Sequence, residues 1–359
     1  MERWRTASWG YTWATRPPAS NACWTARCIF RKIGPTTRRA EKNYVPDEIQ
    51  FLTKPQIALE LVDRALAAGV RVKAWTFDEF YGRESAFLDG MEERRQAFVA
   101  EVPVNFHGWL EKPRVLHVGP KRCRPTKYPR VARRRPSCEV RNLLKYSPVF
   151  QKQTWQRYRT KDTNKGPEVW EVKWATFWRK DAHGAPGRRH CLIVARNVLT
   201  EEVKFFVANR LPGEGGTTLR WLLCVAFGRW SVESCFREAK EELGLDHYEV
   251  RGWRCIHRHF YLTQLSHLFC ARVRQEYDQS ASQPPNRLTV EQVRSAMNTW
   301  LSTADLKVAV RKERYQQELE KQGYYQRRNT QARESHTKTR TATLRALGIH
   351  VDKIKTCIP

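Results

Sequence analysis

VRVKAWTFDEFYGRESAFLDGMEERRQAFVAEVP, residues 70–103, decides the fold. Its first eight residues read as a strand and QAFVAEVP as a second. A helix over 84–95 is predicted between them, after a loop DEFYGRE. The preceding TKPQIALELVDRALAAGV opens on Thr53 and Pro55 and carries Ala58, Leu61, Val62, Ala65 and Leu66 as a helical stripe stopped by Gly69. Helix, strand, helix, strand is the order of an α/β sheet. It leaves Asp78 just past the carboxyl end of a strand.

Downstream, residues 152–210 predict four strands separated by Gly, Pro, Asp and Asn turns: KQTWQRYRTK, VWEVKWATFWRK, RHCLIVARNVL and EVKFFVANRL. They are expected within one mostly antiparallel insertion, 106–216. After the PGEGG loop come helices TTLRWLLCVAF and SVESCFREAKEEL, the latter ended by Gly244, and another over roughly 257–275. SASQPPNR reads as a linker, and 288–345 as helical and basic. The expected divisions are an aberrant, disordered segment 1–40, a first core part 41–105, the insertion 106–216, a second core part 217–280 and a basic helical region 281–359.

Sixty-five Lys and Arg against 37 Asp and Glu leave a net charge of +28 on 359 residues. Such a chain attracts polyanions by steering and counterion release. No apolar run approaches the ~20 residues that span a bilayer, and MERWRTASWGYTWATRPP has no apolar signal-peptide core. The expectation is a cytoplasmic, nucleoid-associated protein facing nucleic acid and no membrane. KRCRPTKYPRVARRRP, residues 121–136, holds eight basic residues and no acid. Arg133, Arg134 and Arg135 would suit a phosphate backbone, although a solvated linker has the same composition. Ten cysteines contain no CxxC pair, which argues against a zinc ribbon and a disulfide framework.

At about 100° per residue, Arg229, Glu233 and Lys240 share one helical face. A solvated stripe of i,i+4 pairs would do the same. The spacing R-x3-E-x6-K behind a β-rich insertion, together with WTFDEFYG, RWSVESCFREAKEELGLDHYEVR and RHFYLTQLSH, resembles the YREK signature of DDE transposases from bacterial insertion sequences. The resemblance covers about residues 42–350. It implies an α/β, RNase H-like core interrupted by an antiparallel all-β insertion, with a helical basic C-terminal region. It makes Asp78 the second and Glu233 the third catalytic acid, both ligands of Mg2+ or Mn2+. Arg229 and Lys240 would hold phosphates of double-stranded DNA, at transposon ends and target. A homodimer on DNA is compatible with it. The implied chemistry is phosphodiester hydrolysis and strand transfer assisted by two hard cations. Ala226 stands where the signature has Tyr.

The family's first acid has no counterpart: between Glu2 and Glu41 there is no Asp or Glu. That stretch also holds Trp4, Trp9, Trp13 and Trp24 without helical or strand periodicity. CIFRKIGP, at 28–35, is compatible with codons that one nucleotide earlier spell LYLPKDWA, similar to a family segment. Residues 1 to about 37 therefore read as an out-of-frame or truncated start, and the cutting chemistry as crippled. The alternative is a non-catalytic DNA-binding remnant.

Overall fold

The computed structural model describes residues 12–13, 46, 51–116, 130–131, 135–181, 183–280 and 288–357. Two compact units separate. A sheet unit contains Lys54–Arg229 and the chain from His336 on, and a helical unit contains Trp230–Ser335.

The sheet unit begins with β1 (Thr12–Trp13), α1 (Lys54–Ala67), β2 (Ala74–Phe77), α2 (Glu79–Gly82), α3 (Ser85–Glu93) and β3 (Phe98–Val102). The expected helix, strand, helix, strand order is present, with two changes. Only the last four residues of VRVKAWTF form a strand, and the expected loop DEFYGRE contains the short helix α2, capped when Asp78 accepts the Tyr81 N–H. The capping carboxylate lets the chain turn into a helix immediately after the strand. β2 and β3 run parallel, with Thr76 opposite Val99 and Phe77 opposite Ala100.

Next come β4 (His107–Trp109), β5 (Val115–Leu116), β6 (Arg130–Val131), β7 (Cys138–Glu139), α4 (Val140–Tyr146), α5 (Pro148–Gln151), β8 (Gln156–Thr163), β9 (Gly166–Lys180), β10 (Pro186–Asn197) and β11 (Val203–Ala208). The four expected strands are β8 to β11, each antiparallel to the next. They do not form a sheet of their own. β11 pairs antiparallel with β3, so the path β1-β2-β3-β11-β10-β9 is one mixed sheet. The span expected to be all-β also holds two helices. Val140 and Phe150 are fully buried, and Ser147 caps the Pro148 helix, so apolar anchors and local capping make helices in a span for which the residues predict no strand.

Period-2 alternation along the strands fills both faces of this sheet. Phe77, Phe98, Ala100, Leu192, Val194, Phe205 and Val207 pack with α1 and α3 residues such as Val62, Phe87, Leu88 and Met91. Val99, Cys191, Ile193, Ala195, Phe206 and Ala208 point the other way, onto α6 (Leu219–Gly228) through Leu219, Leu222, Leu223 and Ala226. The chain's last strand, β12 (Lys355–Thr356), pairs parallel with β8.

A His–Glu pair is among the polar groups buried inside this packing. The His190 ring has Nε2 2.6 Å from Glu92 Oε1 and Nδ1 2.8 Å from the Arg188 carbonyl. Arg188 Nε lies 3.3 Å from the other Glu92 oxygen without hydrogen-bond alignment. Burial raises the Glu92 pKa, but the His190 bond and the charges of His190, Arg179 and Arg188 outweigh it and hold the carboxyl below its ordinary value.

The helical unit comprises α7 (Trp230–Glu241), α8 (Trp253–Ser280), α9 (Val290–Ser302) and most of α10 (Val308–Ala346). Gly244, at φ +69°, turns the chain after α7 as expected. α9 starts with a capping box between Thr289 and Gln292. No described helix is long and apolar enough to cross a membrane. The expected linker after residue 280 and the segment read as disordered lie outside the described residues, apart from Thr12–Trp13, which pair with Trp75 and Ala74.

Candidate functional site

Asp78 is where the sequence put it, one residue beyond the carboxyl end of β2 and half-buried. Its Oδ1 accepts the Tyr81 N–H at 3.3 Å. Gly82 explains the end of WTFDEFYG. A Cβ there would lie 1.9 Å from the Glu101 carbonyl oxygen, so the turn carrying Asp78 rests directly on β3. The requirement is for space, since Gly82 is not among the residues with positive φ.

The parallel register continues this pairing. Phe77 is opposite Ala100, so the next residues, Asp78 and Glu101, end adjacent strands side by side. Alternation puts Glu101 on the face of Val99, the face covered by α6. There its Oε1 accepts from Lys204 Nζ at 3.2 Å, and Arg229 Nη2 lies 3.7 Å from its Oε2. All three side chains are largely shielded, with side-chain exposures of 17% for Glu101 and 26% for each cation. Neither Glu101 nor Lys204 was singled out from the sequence. The available signal was a lone acid in the otherwise apolar strand FVAEV.

Arg229 does not lie on one uninterrupted helix with Glu233 and Lys240. It is the C-cap of α6, and α7 starts at the following residue. The sheet unit therefore holds Asp78 and Arg229, and the helical unit holds Glu233 and Lys240. Glu233 is exposed in the first turn of α7 and Lys240 is exposed in its last turn. Ala226 is buried against the sheet, so the position that departs from the YREK pattern serves packing.

Arg133 and Arg134 lie outside the described residues. Arg135 is exposed and its guanidinium pairs with Glu111, while its carbonyl accepts the Trp109 indole N–H at 2.9 Å. The histidines near α8 serve local structure. His257 Nδ1 is 2.9 Å from the Trp253 carbonyl, His259 Nε2 is 2.9 Å from that of Gly244, and His267 faces Glu238 at 3.6 Å.

A hard divalent cation takes oxygen ligands from several carboxylates. Asp78 offers one such group, but the carboxylate beside it, Glu101, is engaged by two cations. Among the described residues no group of three or more His, Cys, Asp or Glu could hold a metal ion. The described donor set does not fit a complete metal centre.

An acid just past the carboxyl end of a parallel strand, next to a strand end whose Glu101 meets Arg229, is an arrangement suited to phosphate chemistry. Residues 5–167 match the family model of the DDE superfamily endonucleases. The chain thus resembles a DDE transposase, as its motifs indicated, and the match supports a transposase-like nuclease role with DNA as substrate. Divalent metals are general to DDE nucleases. The DDE match contains Asp78 and ends before Glu233, and it takes in most of the stretch read as out of frame. No curated protein matches the chain.

Proposed function

We propose that this chain is a transposase-type, DNA-binding protein with an RNase H-like core, whose cutting chemistry is impaired. Asp78 and Glu233 are the acids it retains for Mg2+ or Mn2+. Arg229 and Lys240 engage phosphates of double-stranded DNA, with the basic arm at Arg133, Arg134 and Arg135 as a further backbone contact. The full reaction would be hydrolysis at insertion-sequence ends followed by attack of the 3′-hydroxyl on target DNA.

The observation that carries this reading is Asp78 at the end of β2, inside the DDE match and packed beside Arg229-bound Glu101. Impairment follows from the acids, since two retained carboxylates would have to do the work of three, and among the described residues no group of three or more His, Cys, Asp or Glu could hold a metal ion.

Two measurements test it together. Binding to a mixed-sequence duplex should fall steeply between about 50 and 200 mM salt, as counterion release requires; flat binding over that range would overturn the assignment to DNA. Nicking of supercoiled plasmid in Mg2+ or Mn2+ should be no greater for the wild type than for Asp78→Ala or Glu233→Ala. Wild-type nicking that both substitutions abolish would instead establish an active nuclease.

A further inference from the structure

We infer that residues 324–328 of α10 form a stacking surface for unpaired DNA bases, with Tyr324 and Tyr325 supplying the rings and Arg327 and Arg328 meeting the phosphates. This deepens the DNA-binding reading above and rests on it. It adds a surface and a form of substrate, the single strand, to which neither the sequence motifs nor the family match assigns residues.

The rings are not part of a core. Tyr324 is 51% exposed and Tyr325 54%, on a part of α10 that belongs wholly to the helical unit. They lie against each other at right angles, with ring centroids 5.5 Å apart and an interplanar angle of 75°. The Arg328 guanidinium sits 6.0 Å from the Tyr324 ring centre, and its Nη1 donates to the Tyr324 hydroxyl at 3.5 Å. At about 100° per residue, Arg328 falls between the two tyrosines on the helix surface and Arg327 flanks Tyr324 on the other side. Four adjacent side chains thus make one aromatic and basic patch.

Charge around the patch has one sign. From Lys321 to Arg333 the chain contains no Asp or Glu. Among the described residues neither Arg327 nor Arg328 forms an ion pair, with the bracketing acids Glu320 and Glu334 included. Glu320 instead accepts from Gln316. Two exposed guanidinium groups would suit the phosphates of a duplex and of a single strand alike. The tyrosines discriminate. A duplex hides the faces of its bases within its own stack, whereas an unpaired strand offers them to exposed rings. Tyrosine on a helix also has few rotors to immobilise, so its contact area costs little entropy on binding.

The test compares a strand with its duplex. Titrating the full-length chain with a labelled strand of about 16 nucleotides, Tyr324→Ala should bind about tenfold more weakly than wild type, the worth of one stacked base. Its affinity for the duplex should change by less than about twofold. Tyr324→Phe keeps the ring and should keep the affinity. Arg328→Ala should lower the salt slope on the strand by about 0.7. An abasic strand of equal length has the same charge without bases, and wild type should bind it no more tightly than Tyr324→Ala/Tyr325→Ala binds the normal strand. Thermal melts of the variants establish that the fold is retained.

Single-strand affinity unchanged in the double tyrosine variant would overturn the inference and leave the DNA-binding reading intact, as would equal losses on strand and duplex. Should the double variant unfold, the wild type decides: equal affinity for the normal and abasic strands would overturn the inference. A wild type with no salt-dependent binding to strand or duplex would overturn the DNA-binding reading and the inference together.

Discussion

The sheet unit and the helical unit treat their apolar side chains differently. In the former, Leu88, Met91, Phe177, Leu192, Ile193, Leu222 and Leu223 lose essentially all contact with solvent. In the latter, Leu262, Leu265 and Leu319 are 58%, 61% and 67% exposed, and only a few residues, such as Cys270, Val290 and Val293, make a small cluster. A sheet with helices on both faces gives the inner residues of its strands a facing layer. α10 has no apolar stripe to offer one, and its surface is crossed by i,i+4 contacts such as Gln316 to Glu320 and Gln322 to Glu318. Stability should therefore reside in the sheet unit.

The strongest way to break that contrast is truncation of a core aromatic in each unit. Phe177→Ala should cost about 3–5 kcal/mol in urea unfolding, and Phe260→Ala, at a 9% exposed position in the N-terminal third of α8, clearly less. Equal losses would end the distinction.

Glu92 sharpens it through pH. Its folded pKa is depressed, so its contribution is present above the unfolded value near 4.5 and is lost as pH falls through the lower folded value. Glu92→Gln should destabilise the chain at neutral pH by about 2 kcal/mol and flatten the loss of stability below about pH 4.5. A melting temperature with the same acid dependence as wild type would contradict this.

Gly82→Ala tests how firmly the Asp78 turn is seated. The added methyl collides with backbone rather than with a movable side chain, so a loss of about 1–3 kcal/mol is expected. A neutral substitution would show that the turn can lift from β3.

The smallest effect belongs to the helical unit. Leu265→Gln, on an exposed position of α8, should change stability by no more than about 0.5 kcal/mol. A loss of several times that size would mean that this face is covered in solution.

Much of this was legible in the residues. The runs VWEVKWATFWRK and RHCLIVARNVL, set off by turn residues, located β9 and β10, Gly244 located the end of α7, and the position of Asp78 after a strand was correct. Local rules failed where a cap or an anchor acted over a few residues, as at Asp78 for α2 and at Val140 and Phe150 for α4 and α5. At Arg229 the spacing did not show the one-residue boundary between α6 and α7, although Arg229 itself keeps helical backbone angles.

By itself, the sequence determined the charge, the α/β order and the DDE-type motifs, since these depend on composition and on near-neighbour periodicity. Only the tertiary structure decided that β8 to β11 extend the core sheet and that Glu101 stands beside Asp78 with Lys204 and Arg229 on its carboxylate. Strand partners and shared ion pairs join residues more than a hundred positions apart, and no local pattern encodes which of the possible partners will meet.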